Sequence, residues 1–381
     1  MVAHIITAKA IVTTPPKDGK FSWSMKNVKL REPHDDELTV RIVASGICHT
    51  DIALSSGPAE IGLWPRILGH EGAGVVEKVG SRVTHVKPDD FVLLSFDFCS
   101  DSSCHNCSTG YPSYCPSFII LNIAQQPDIY DIGGEAGAGV FFGQSSFSST
   151  ALVKGNSAVN VSELITSEEE LKLFAPFGCG FQTGAGSITE LADANEKDSV
   201  AVFGLGGVGL LALMAAKLRG CVTIIGVDRV QSRLDIAKSV GATHVIDTSG
   251  FKDLNGDLTK AIKEATNGAG TSINVDTTGV LDIVHAGVNS LRPRGQLVLI
   301  GIMQGLTLPI DLSDLLANGK SIRGCIEGSA LPKKYIPQMI QWYRDGKLPI
   351  DTLIKHYPAD DFEKALEDMH TGATVKPILI W

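Results

Sequence analysis

The chain has 381 residues, a net charge of −9 and 44% hydrophobic residues, enough at roughly 150 residues per domain for two or three globular domains. It carries no lysine- or arginine-rich run to offset that acidity, which excludes the basic footprint of a nucleic-acid binder or of a protein held on anionic lipid. The opening stretch MVAHIITAKA lacks the basic, apolar and small-residue succession of a secretory leader, so the expected setting is cytoplasmic.

The first 150 residues read as β-rich. LTVRIVASGIC, EGAGVVEKVG and DDFVLLSF are short apolar or alternating runs broken by Gly, Pro and Asp. From about Leu171 the pattern changes. VAVFGLG, TIIGVD, THVID, INVDTTG and QLVLIGI read as strands, separated by the helical patterns VGLLALMAAKLRG, QSRLDIAKSVG, KDLNGDLTKAIKEATNG and LDIVHAGVNSLRPRG. Such alternation predicts βαβ units around a parallel sheet. It ends near Ile322. The remaining tail offers two helical stretches, around KYIPQMIQWYRDG and ADDFEKALEDMH, and a short strand, KPILIW. Too small to form a domain alone, the tail is expected to return to the amino-terminal part. The predicted organisation is α/β: a β-rich domain over 1–180, completed by 323–381, and a doubly wound nucleotide-binding domain over 181–322.

Val200 to Ala216 is unbroken apolar or glycine, a run that could be mistaken for a membrane span. Its glycines are placed as strand–turn–helix punctuation. Gly204, Gly206 and Gly209, with Gly207 and Val208 between them, fit G-x-G-x-x-G directly after a strand and at the head of a helix. Glycines there allow a tight turn and let the backbone approach a pyrophosphate at the helix amino terminus. Asp228 ends the next strand, at the position of the acidic residue that accepts from the ribose hydroxyls of NAD and repels the 2′-phosphate of NADP. Arg229 beside it is the residue type an NADP site uses, and here reads as a solvated turn residue; the expected cofactor is NAD.

The eight cysteines are uneven. Cys99, Cys104, Cys107 and Cys115 crowd one loop, which in a chain of this size reads as metal binding before disulfides. Cys221 and Cys325 lie in apolar stretches and read as small buried hydrophobes. Cys48, His70 and Cys179 each sit in a glycine-flanked segment, but no two have local ligand spacing, so spacing alone assigns them nothing.

GICHTDIA, GHEGAGVVEKVG, FFGQSSF, GCGFQTGAGS and FGLGGVG occur in the order in which zinc-containing alcohol dehydrogenases of the medium-chain dehydrogenase/reductase superfamily carry them. The chain resembles that family along essentially its whole length, most closely its aryl- or benzyl-alcohol branch. The resemblance implies a GroES-like catalytic domain and a Rossmann domain. It implies a catalytic zinc on Cys48, His70 and Cys179, with Glu71 an alternative ligand and Asp51 orienting His70. It also implies a structural zinc on the four-cysteine loop, hence two zincs per subunit. The spacing Cys99-x4-Cys104 departs from the family's two-residue spacing, with Asp101 and His105 as nearby substitutes. Thr50 matches the residue that takes the alcohol proton. The histidine that passes it on in several members is Ala53 here. His49 and Lys376 are placed by resemblance at the cofactor pyrophosphate and Thr183 on the nicotinamide; Arg233, Thr278 and Ile300 complete the expected cofactor contacts. Trp64, Phe96, Phe141 and Phe142 are candidates for an apolar pocket suited to aromatic or allylic alcohols.

The expected activity is zinc-dependent interconversion of a primary alcohol and its aldehyde, by hydride transfer to or from NAD, in a homodimer or homotetramer. Three rival readings stand beside it: a zinc-free enone or quinone reductase, an S-(hydroxymethyl)glutathione-type dehydrogenase, and a non-enzymatic zinc- and nucleotide-binding protein. Retained ligands speak against the first, and Thr50 against the last.

Overall fold

The computed structural model describes residues 4–18, 20–57, 62–303 and 305–381. The chain divides into two compact units. One holds the chain up to Gly180 with Leu331–Gln341 and Asp351–Trp381; the other holds Phe181–Ala330 and Trp342–Ile350.

The first unit is built on strands β1 (His4–Lys17), β2 (Lys20–Arg31), β3 (Glu37–Gly46), β4 (Arg66–Ile67), β5 (Gly72–Val79), β6 (Phe91–Leu94), β7 (Gln126–Ile132), β8 (Glu135–Gly139), β9 (Thr150–Lys154) and β10 (Ala158–Asn160). β1, β2, β7, β8 and β4 close into a barrel. β3 pairs on its two edges with β5 and, further along, β9. Nine of its ten residues are buried, as expected of a strand covered on both faces rather than alternating in and out. Ile11, Val28, Leu30, Phe96, Phe141 and Phe147 belong to one core cluster; Leu38, Val40, Ile42, Val92 and Leu94 belong to another.

The second unit is a parallel sheet of β11 (Ser199–Phe203), β12 (Thr223–Asp228), β13 (His244–Asp247), β14 (Thr271–Asp276), β15 (Leu291–Leu299) and β16 (Ser321–Gly324). The spatial order is β13-β12-β11-β14-β15-β16. This is the doubly wound order that reverses between the first and fourth strands, and the crevice outside the carboxyl ends of those strands is where such sheets bind ligands. The connecting helices Gly207–Leu218, Gln231–Val240, Leu254–Ala265 and Leu281–Asn289 follow the expected segments. Among the described residues no helix is long and apolar enough to cross a membrane. The run from Val200 is a five-residue strand, a glycine turn and a twelve-residue helix.

Two further strands, β17 (Ile354–Pro358) and β18 (Lys376–Ile380), return to the first unit, where β18 lies between β17 and β3. The return is not as sharp as the expected boundary at residue 322. β16 is the last strand of the parallel sheet, and Cys325 N continues it by bonding to Leu299 O at 2.9 Å. The second unit therefore runs on to Ala330 and also takes Trp342–Ile350.

Candidate active site

Three separate segments of the first unit bring Cys48, His70 and Cys179 together. Cys48 follows β3 and caps the helix His49–Ser55. His70 stands just before β5, and Cys179 closes the turn Ala175–Gly178. The two sulfurs and a ring nitrogen lie within 4.8 Å of one another. His70 Nδ1 donates to Asp51 Oδ1 at 3.0 Å. Its Nε2 is buried without a hydrogen-bond partner among the described residues, an arrangement native interiors rarely leave unexplained. Two thiolates and an imidazole nitrogen, with a fourth direction open, are the donor set of a catalytic zinc, so the residues fit the metal.

The electrostatics agree. The Cys179 sulfur beside it, with His70 and Lys376, draws the Cys48 thiol well below its ordinary range against the opposing effect of burial. Burial works against a charged His70, but Asp51 and Cys48 carry its pKa well upward, as a ring standing in a strongly negative donor set should be. Thr50 Oγ1 lies 3.8 Å from Cys48 Sγ. Ala53, on the same short helix, is exposed, as is His49.

Glu71 and Lys376 form a buried ion pair. Glu71 is not part of the ligand cluster. Both its oxygens accept from Lys376 Nζ, at 2.9 and 2.8 Å, and Oε1 also accepts from Gly180 N at 3.2 Å. Lys376, expected at the cofactor, is 5% exposed and donates in addition to Ile47 O at 3.2 Å. The reason is mutual: a buried charge is tolerated only when paired. Burial disfavours the lysine's charge, yet Glu71 carries its pKa up to about 12.

Aromatic side chains cover His70. The Phe142 ring stacks on His70 at 4.6 Å and 27°, and Phe141 meets the same imidazole edge-on at 5.3 Å. Phe118 packs on Phe142 at 6.0 Å and on Phe96 at 5.7 Å. Phe118 extends the set beyond the sequence reading; its only signal is an aromatic at the head of the apolar stretch FIILN. Trp64 instead stacks under the Arg66 guanidinium at 3.7 Å.

Cys99, Cys104, Cys107 and Cys115 converge with sulfurs within 4.8 Å of one another, the closed four-thiolate set of a structural zinc. The long first spacing is absorbed locally. Ser100 takes a left-handed conformation, φ 52°, and Asp101 closes a turn by accepting from Ser103 N at 2.7 Å. Neither Asp101 nor His105 enters the cluster.

In the second unit the glycine loop divides its labour. Gly204 has φ +84°. A Cβ on Gly209 would stand 1.9 Å from Gly204 O, so only glycine lets the helix approach β11. A Cβ on Gly206 would meet nothing within 4 Å. That open backbone stands ahead of a twelve-residue helix, whose first N–H groups have no acceptor within the helix itself, a geometry that suits a pyrophosphate. Asp228 lies at the end of β12, where its carboxylate accepts from Leu205 N at 2.7 Å, Arg229 N at 2.7 Å and Val230 N at 3.0 Å. About four lone-pair directions are available to a carboxylate, so capacity for a ribose hydroxyl remains. Arg233 Nη1 is 3.8 Å away.

Across the crevice, buried Asp276 accepts from Thr278 N and Oγ1 and from Gly279 N, while its carbonyl accepts from Ile300 N at 2.8 Å. Thr277 Oγ1 donates to Phe203 O at 2.8 Å. Thus Gly204, Gly206, Val208, Gly209, Asp228, Arg233, Thr278 and Ile300 all gather at the carboxyl ends of β11, β12, β14 and β15. Thr183 lies on the helix Gly180–Gly186, which touches the glycine-loop helix where Gly184 meets Val208 O. Asp276 carries no sequence motif, and its role becomes visible only in the folded turn.

A doubly wound nucleotide-binding unit, and a unit with a thiolate–imidazole metal centre, define a metal-dependent pyridine-nucleotide oxidoreductase. Residues 34–163 match the alcohol dehydrogenase GroES-like domain and residues 207–345 the zinc-binding dehydrogenase domain. Geraniol dehydrogenase of Castellaniella defragrans is 36% identical over 94% of either chain. Benzyl alcohol dehydrogenase of Acinetobacter calcoaceticus has 37% identity and a TM-score of 0.88 over 99% of both chains. An alcohol dehydrogenase zinc-binding domain protein of Burkholderia ambifaria has 37% identity and a TM-score of 0.89 over 98% of both. The chain belongs to the zinc-containing alcohol dehydrogenases of the medium-chain dehydrogenase/reductase superfamily.

Proposed function

We propose that this chain interconverts a primary aromatic or allylic alcohol and its aldehyde, using NAD. The observation that carries the reading is the buried, unpartnered Nε2 of His70, within reach of two cysteine sulfurs and beneath the Phe142 ring. When bound, zinc supplies a Lewis acid for the alcohol oxygen, and NAD supplies the hydride acceptor. Cys48, His70 and Cys179 hold the metal, and Asp51 fixes the His70 ring. Thr50 takes the hydroxyl proton of the substrate. Phe142 and Phe118 give an aromatic or allylic group an apolar surface and keep water from it. Likeness to enzymes named for geraniol, an allylic alcohol, and benzyl alcohol supports this substrate class.

On the second unit, Gly206 admits the pyrophosphate and Asp228 receives the adenosine ribose. Its negative charge favours NAD over NADP. β16 is the last strand of the parallel sheet, and Leu306, Leu312 and Leu316 of the same unit are exposed. Exposed apolar side chains seek cover, which supports a homodimer or homotetramer.

The test is an alcohol and aldehyde panel with both cofactors, with and without a chelator. Benzyl and allylic alcohols should exceed short aliphatic alcohols in kcat/KM, NAD should exceed NADP, and chelation should abolish turnover. Preference for short aliphatic alcohols overturns the substrate class; activity that survives removal of zinc overturns the mechanism.

A further inference from the structure

FFGQSSF forms the most contorted turn of the first unit. Within six residues Val140, Phe142 and Ser145 adopt φ of 62°, 49° and 56°, and Gly143 adds 67°. Non-glycine residues in that region are costly and persist only where their surroundings over-determine them. Here they do. Phe141 N donates to Ser145 Oγ at 3.0 Å, Ser145 Oγ to Ile67 O at 2.8 Å, and Ser146 N to Gly69 O at 2.9 Å. The turn is thereby stitched to the strand that leads into His70.

At its centre Gln144 is wholly buried, with both amide hydrogens and the amide oxygen engaged. Oε1 accepts from Gly72 N at 3.0 Å; Nε2 donates to His70 O at 3.0 Å and to Ser95 O at 3.2 Å. Two carbonyls and one N–H leave the amide a single orientation. Ser95 passes the connection on, for its Oγ donates to Gly178 O at 2.6 Å, one residue before Cys179. His70 and Cys179, more than a hundred residues apart in sequence, are thus joined by Gln144 and Ser95. Asp51 joins His70 to Cys48 in the same manner.

We propose that Gln144 is a positioning residue for the catalytic metal: with Ser95 it sets the distance between the His70 and Cys179 segments, and the turn that carries it holds Phe142 on the His70 ring. This rests on Cys48, His70 and Cys179 being the zinc ligands. Outer partners of metal ligands typically govern ten- to a hundredfold of metal affinity. Glutamate is no substitute, since its carboxylate would face two carbonyl oxygens.

The experiment compares the wild-type holoenzyme with Gln144→Met, Ser95→Ala, the double variant and Cys179→Ser. Zinc is titrated competitively with a chromogenic chelator, and cobalt(II) is exchanged into the site for its visible spectrum. NADH affinity and far-UV circular dichroism report the fold. Gln144→Met and Ser95→Ala should each weaken one of the two zincs at least tenfold and shift the cobalt bands, with NADH affinity unchanged. Their effects should combine less than additively, as members of one connected chain do. Folded single variants with wild-type zinc affinity and cobalt spectra overturn the proposal, provided Cys179→Ser loses that zinc. Cys179→Ser that keeps both zincs overturns the ligand assignment itself. If Gln144→Met does not fold, Ser95→Ala, which deletes a single hydroxyl, decides alone.

Discussion

Asp51 binds His70 through one carboxylate oxygen and holds the Cys48 segment through the other: Oδ1 accepts from His70 Nδ1 and from Gly69 N, each at 3.0 Å, and Oδ2 from Cys48 N at 3.1 Å. One fully buried carboxylate therefore sets the tautomer of the imidazole and the separation of the Cys48 and His70 segments. Asp51→Asn should lower zinc affinity ten- to a hundredfold, with kcat falling and NADH binding retained. Metal competition and steady-state kinetics check this; unchanged zinc affinity would refute it.

Metal analysis of the wild-type protein should return two zincs per chain. Cys104→Ser should return one and lower the thermal midpoint, because a structural zinc site contributes directly to folding energy. A wild-type value near one would remove the lobe around Cys99 as a zinc site.

The two ends of the glycine loop should separate stability from binding. Gly206→Ala adds a methyl to open space, so the thermal midpoint should barely move while Kd for NAD rises at least tenfold. Gly209→Ala forces a methyl onto Gly204 O and should cost about 1–3 kcal/mol of stability, the usual price of overpacking. Denaturant melts with and without NAD distinguish them.

Glu37 provides the pH prediction. Burial would raise its pKa, but bonds from Arg31, Lys154 and His34 N override burial and hold it at about 2, below the 4.5 of an ordinary glutamate. A carboxylate whose folded pKa is depressed stabilises the fold fully above its unfolded value, and that share is lost as pH falls from 4.5 towards 2. Glu37→Gln should be less stable by about 3–5 kcal/mol at neutral pH. The gap between wild type and variant should narrow through that acid window. Urea midpoints across pH measure it; a gap that widens on acidification contradicts the assignment.

What could be read from the residues follows physical range. The parallel sheet was legible because its strands and helices alternate within short windows and each carries its own periodicity. The glycine loop and Asp228 were legible because their partners are about twenty residues apart. Cys48, His70 and Cys179 were recognisable only through resemblance, since tertiary structure alone brings them together. The pairing of Glu71 with Lys376, 305 residues apart, left no local trace. Nor did the roles of Gln144, Phe118 and Asp276, which depend on how a turn or short helix aims one side chain. The second unit runs past residue 322 because β16 straddles that point and pairs with β15, a long-range contact with no local signal.

The insertion of β18 between β3 and β17 has a consequence for biosynthesis. Ala44, Ser45 and Gly46 of β3 pair with Ile380, Leu379 and Ile378. On the ribosome, β3 emerges and then waits while the entire parallel sheet is made. The nucleotide-binding unit has all its strands outside the tunnel before the first sheet can acquire this neighbour, and before Glu71 meets its lysine. Domains fold as units during synthesis, so the later unit in sequence is the earlier to complete. The nascent first unit therefore passes through an interval in which part of β3 has an open edge and Glu71 has not met its lysine.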